Sequence, residues 1–205
     1  MHVDSTPVRA TGMDTTRDHR LNGVNLETLR AARRVFAEVP AAAAFVWRAT
    51  GEWMSGTHTC CRVGSFYGLG HDRGRVGRLF DTDHPEILGA DDRGMTPSEA
   101  ALGALAGCLT ASIATIATDR GMTLQSVRTS IEGDMDLRGA LGADAGVRSG
   151  FGLIRVHVDI DVDASEDEVD SLIAQARSRS AVHDLITGPT PVHIAVDRPT
   201  TERRR

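Results

Sequence analysis

At 205 residues, 40% hydrophobic and 25% charged, the chain has a globular composition with enough apolar material for one ordinary core. Its net charge of −5 is spread along the sequence, and without a basic stripe no nucleic-acid partner is expected. All 23 basic side chains are Arg, which excludes lysine Schiff-base and lysine-base chemistry.

Residues 1–22 carry Asp4, Arg9, Asp14 and Arg17 without periodicity and read as a flexible tail. They lack the apolar segment of a secretory signal, and three cysteines, two of them adjacent, do not make a disulfide framework. A cytoplasmic protein with reduced thiols is expected. Leu26, Leu29, Ala32, Val35 and Phe36 recur at helical spacing, and Pro40 ends that helix. Phe45 to Trp53 and Thr57 to Phe66 are predicted as a β-hairpin turning at Met54-Ser55-Gly56, with Arg78 to Asp83 as a third strand.

The stretch from Pro97 to Arg120 is the most informative. Thr96 suits an N-cap, Pro97 the first helical position and Gly121 the position past the end. From Ala100 to Thr118 there is no charged residue, a length that touches the threshold for a membrane span. Ala, Gly, Ser and Thr dominate it, however, and no aromatic belt flanks it. It reads as a helix buried on all sides, with other backbones packed close, and not as a membrane segment. One domain of this size rarely surrounds a helix completely, so a partner subunit is implied.

Strands are predicted over Leu124 to Met135 and Gly152 to Asp163. In the second, Ile154, Val156, Val158, Ile160 and Val162 alternate with Arg155, His157 and three Asp, the pattern of a sheet with one wet face. Ser165 and Glu168 form a capping box opening a helix with Val169, Leu172, Ile173 and Ala176 on its apolar side. A short helix over Ala181 to Ile186, a closing strand over Pro191 to Val196 and a charged tail over 199–205 complete an α+β chain. Residues 23–198 are read as a single domain.

The Thr96-Pro97-Ser98-Glu99 start, followed by a small-residue run reaching a cysteine eleven residues after the proline, resembles the central helix of the OsmC/Ohr family of thiol peroxidases. Gly64-Ser65-Phe66-Tyr67-Gly68, the segment Ile131 to Gly139, and the pairing of Arg179 to His183 with Pro189 to Val192 resemble an OsmC-like branch with an added N-terminal helix. The resemblance covers about residues 22–197. It implies antiparallel sheets wrapped around a long buried central helix in an intertwined homodimer, with active sites at the subunit interface.

It also implies a thiol-dependent peroxidase that reduces organic hydroperoxides in oxidative-stress defence, with Cys108 as the nucleophile. In the family an Arg lowers the thiol pKa, a Glu fixes the Arg, and a second cysteine condenses with the sulfenic acid. Here the Glu is Glu99, one residue later than in the Ohr branch, and the Arg is Arg62, with Arg48 and Arg93 as other possibilities. The resolving cysteine of the family is replaced in Ser180-Ala181-Val182. A hydroxyl does not attack a sulfenic acid usefully, so Ser180→Ala is expected to change little. Resolution then falls to an external thiol reductant or to Cys60 or Cys61, of which at most one faces the interior.

Each of these residues also has a plainer reading. A lone cysteine in an Ala/Gly helix is more often a small buried hydrophobe, Glu99 suits the helix dipole, and Arg62 suits an exposed strand position. The alternative function is a non-catalytic OsmC-like dimer binding a small lipophilic ligand in its interface pocket. His183 and His193 lie in different elements, His71 and His84 fall in loops, and no metal site or cofactor is expected.

Overall fold

A computed structural model describes residues 20–197; residues 1–19 of the expected tail over 1–22, and the whole of the expected tail over 199–205, lie outside them. Residues 20–22 are already structured: Leu21–Gly23 is a 3-10 turn, and the Asn22 amide bonds Thr118 Oγ1, the Met122 carbonyl and the Leu124 N–H. That side chain ties the entry of the chain to the far end of the central helix.

Asn25 caps helix α1 (Leu26–Glu38) by accepting from the Thr28 N–H, and Pro40 opens a 3-10 turn instead of continuing it. The predicted hairpin forms as β1 (Ala49–Ser55), which starts later and ends later than expected, and β2 (His58–Val63), which is shorter at both ends. The turn centres on Gly56, whose φ of 54° suits glycine. Phe66 lies outside β2, in the small β3 (Phe66–Gly68) and β4 (His71–Arg73) hairpin that sequence periodicity does not reveal. His71 is therefore an exposed strand residue and not a loop one. The third strand, β5 (Arg78–Thr82), pairs antiparallel with β2 and gives the order β1-β2-β5.

Helix α2 (Pro97–Asp119) has the predicted ends. Thr96 and Glu99 complete a capping box, and Gly121 follows at φ 77°. By length and composition α2 is apolar enough to cross a membrane. Its contacts are those of a core helix: it packs on β6 (Leu124–Asp134), which a short helix α3 (Leu137–Ala140) follows, and on helices α4 (Glu166–Arg179) and α5 (Ala181–Thr187). Strand β7 (Leu153–Val162) pairs antiparallel with β6 along its length.

The core gathers Ile113, Ile116 and Ala117 of α2, Met122, and Leu172 and Ala176 of α4, with Val127, Val158 and Ile160 of the sheet against them. Arg120 locks α2 to α4 through the Ser171 hydroxyl and the Gln175 amide oxygen. Within the chain α2 is buried on one side, and Ala101, Gly103, Ala104, Gly107 and Ala111 remain exposed, as expected of a helix that one domain does not surround. The C-terminal expectation differs from the structure. Residues 191–196 form no strand: Val192, Ile194 and Val196 alternate as predicted but pair with no strand among the described residues, and they are 79%, 87% and 74% exposed.

Candidate active site

Cys108 sits halfway along α2, on the side where α4 ends and α5 begins. Ser180 stands at that junction, 1% exposed, and caps α5 by accepting from the His183 N–H at 3.2 Å. With its oxygen engaged there, the hydroxyl donates to Cys108 Sγ at 3.1 Å. The Val182 and Ala181 N–H groups and the Ser112 side chain, one helical turn beyond Cys108, add smaller contributions that lower its pKa. Burial pushes the thiol up; these donors together outweigh it and leave the pKa below its ordinary value. The arrangement favours thiolate without an ion pair on the sulfur.

The half-buried sulfur opens into a depression of about 260 Å³, lined by Arg33, Ala111, Ser112, Thr115, Ile116 and Arg179. Arg33 is brought there by α1, which is docked through Asp119: Arg30 and Arg33 both bond that carboxylate and, against its partial burial, hold its pKa down. The guanidinium groups beside Cys108 thus come from α1 and α4.

The other residues named from sequence lie elsewhere in the chain. Glu99 is nine residues before Cys108, about 180° around α2 and roughly 13 Å along its axis. Its carboxylate accepts from the Thr96 N–H at 2.7 Å and the Thr96 hydroxyl at 2.9 Å, which lower its pKa. Arg62 is exposed on β2 and lines a separate depression with Arg48, Thr50 and Ser65. Arg48 pairs with Asp72 at 2.7 Å, and Arg93 with Asp91 at 2.7 Å.

Cys60 and Cys61 point to opposite faces of β2, where Cys61 Sγ lies 4.0 Å from Thr82 Oγ1. Both are unbridged, and among the described residues β2 pairs with β1 and β5 alone. Within one chain, then, none of Glu99, Arg62, Cys60 and Cys61 lines the Cys108 depression. No cluster of three or more His, Cys, Asp or Glu suited to a metal ion occurs among the described residues.

The family model for OsmC-like proteins matches residues 89–195. The chain belongs to the OsmC-like family. The matched segment holds both Cys108 and Ser180, while β1 to β5 precede it. Among solved structures, an OsmC-like protein from Mycoplasma pneumoniae superimposes with a TM-score of 0.54 at 17% identity, covering 69% of this chain and 87% of that one. An organic hydroperoxide resistance protein OsmC from Legionella pneumophila gives 0.49 at 20% identity, over 71% and 92%. No curated protein matches the sequence. The first of these structures supports the OsmC-like fold for the chain.

Sequence reasoning missed Arg33, Arg179 and the donor role of Ser180. Ser180 had a signal, since the position replaces the family's resolving cysteine and so belongs beside Cys108. The two arginines had none, because their convergence depends on how α1 docks.

Proposed function

We propose that this OsmC-like protein is a thiol-dependent peroxidase that reduces organic hydroperoxides through Cys108. The observation that carries this reading is a cysteine sulfur that accepts from the buried Ser180 hydroxyl while open to a depression. A structural cysteine needs neither feature, whereas a peroxidatic one needs thiolate character and access together. Ala111 and Ile116 give part of the wall an apolar character suited to an alkyl peroxide.

The working form in this reading is a cytoplasmic homodimer of one OsmC-like domain per chain, spanning residues 23–198. A second copy would cover the exposed small-residue side of α2 and the sheet β1-β2-β5, and would bring Arg62 and Glu99 of one subunit toward Cys108 of the other. The rival reading, a non-catalytic dimer binding a small lipophilic ligand, is favoured by Ser180 standing where a resolving cysteine is expected.

Turnover of cumene hydroperoxide with excess dithiothreitol separates the two. The proposal expects catalytic consumption by the wild type and none above background in Cys108→Ser. Equal turnover in the two proteins would refute it.

A further inference from the structure

A peroxidatic cysteine must be returned to thiolate, and within one chain neither Cys60 nor Cys61 lines the Cys108 depression. The group touching Cys108 Sγ is the Ser180 hydroxyl at 3.1 Å, which has no S–H with which to form a disulfide. Cys60 and Cys61 belong to a sheet whose strands, among the described residues, are β1, β2 and β5. A thiol from outside has to reach the sulfur through the depression, and about 260 Å³ suits a small molecule.

The charge of that opening is selective. Within one chain Arg33 and Arg179 line it, and no carboxylate among the described residues does. Asp119 engages one terminal nitrogen of Arg33 but is shared with Arg30, and Arg179 forms no ion pair among the described residues. In a chain of net charge −5, the opening onto Cys108 is locally positive.

Resting on the peroxidase reading above, we propose that the Cys108 depression binds an anionic low-molecular-weight monothiol, held by Arg33 and Arg179, which resolves the oxidised cysteine as a mixed disulfide. The Cys108 thiolate attacks the terminal oxygen of ROOH; an S–O bond forms, the O–O bond breaks, and ROH leaves behind a sulfenate that solvent protonates. The thiol R′SH then forms an S–S bond to Sγ as the S–O bond breaks, and the hydroxyl departs as water with the thiol's proton. A second R′S⁻ attacks the R′ sulfur of the mixed disulfide, giving R′SSR′ and Cys108 thiolate. In total, one hydroperoxide is reduced to alcohol and water, and two thiols are oxidised to one disulfide.

The test uses the reduced full chain, with adducts at Cys108 read by mass spectrometry. Exchange rates are compared for 3,3′-dithiodipropionate, which is anionic, and cystamine, which is cationic. Both reagents meet the same sulfur, so their rate ratio cancels any change in thiolate fraction. The anionic-to-cationic ratio is expected to be about tenfold higher in the wild type than in Arg33→Gln/Arg179→Gln. It should fall toward the variant's value in 1 M salt, and fall further in the charge reversal Arg179→Glu.

A ratio unmoved by substitution and by salt would overturn the proposal. In the second arm, one equivalent of cumene hydroperoxide is followed by 3-mercaptopropionate or cysteamine. Faster capture of Cys108 by the anionic thiol is expected, and a Cys108 disulfide with Cys60 or Cys61 would overturn the resolving role. A Cys108 that ignores the peroxide yet keeps the exchange preference overturns the peroxidase reading and the resolving step with it. Oxidation without a charge preference overturns the anionic-thiol site alone.

Discussion

A hydroxyl has one hydrogen to give, and at Ser180 both neighbours decide where it goes. The His183 N–H occupies the oxygen from one side, so the hydrogen is directed to Cys108 Sγ on the other. The sequence-based expectation that Ser180→Ala changes little is therefore replaced. Losing this donor is predicted to raise the Cys108 pKa, moving the alkaline rise of peroxide reactivity to higher pH. At neutral pH the rate should fall roughly three- to tenfold, the scale of one hydrogen bond to a charged acceptor at a half-open site. Ser180→Thr should restore much of it, and a pH–rate profile across the three proteins checks this.

A second residue gives a stability prediction. Asp83 is 1% exposed and accepts from the Thr57 hydroxyl at 2.5 Å, which outweighs burial; the Arg93 and His84 N–H groups and His58 add to it, and its pKa falls to about 2. Because the folded value lies below the ordinary 3.8, this carboxylate stabilises the fold at pH values above 3.8, and the contribution is lost as pH falls through about 2. Asp83→Asn should be less stable at pH 7 and show a flatter decline over that acid window, read by urea denaturation at several pH values. Nothing in the sequence marks Asp83, since its partners meet only when the segment around Arg93 folds back on β5.

At the scale of elements, the sequence was most legible where local chemistry decides structure. The Ser165–Glu168 capping box forms as predicted and Thr96 takes its predicted N-cap place, where Glu99 completes a second box. The alternation in β7 also places Val158 and Ile160 against the core. The same logic fails over 191–196, where alternation supplies an apolar face but no strand among the described residues pairs with it. For α2 the periodicity carries little information because nearly every position is apolar or small, so its packed side had to come from the structure. That side is tight: Leu172 of α4 is fully buried against it. Leu172→Ala is predicted to cost about 2–5 kcal/mol by leaving a cavity, measurable as a lowered urea midpoint.

At the scale of the whole molecule, one feature of the chain asks for a partner. Trp53 and Leu79 of the β1-β2-β5 sheet are 71% and 59% exposed, and the N-terminal half of α2 offers Ala101, Ala104 and Gly107 to solvent. Apolar surface of that extent is costly in water. Sedimentation equilibrium is expected to give twice the 21.9 kDa chain mass, and Gly107→Trp on the exposed side of α2 should shift it toward one. The candidate site was half legible for the same reason. Cys108 and its neighbour at position 180 follow from the family's helix, whereas Glu99, Arg62 and the Cys60-Cys61 pair require geometry between elements that one chain does not bring together.

The central claim is that Cys108 is a reactive thiolate and not a packing residue. Its most direct test is stopped-flow mixing of the pre-reduced protein with one equivalent of cumene hydroperoxide, following loss of the Cys108 thiol by mass spectrometry. Rapid loss at Cys108, with a one-oxygen mass gain or its trapped adduct and with Cys60 and Cys61 still reduced, is the predicted result. Loss no faster than that of a free cysteine in the same buffer would contradict the account and leave Cys108 as an ordinary member of the helix.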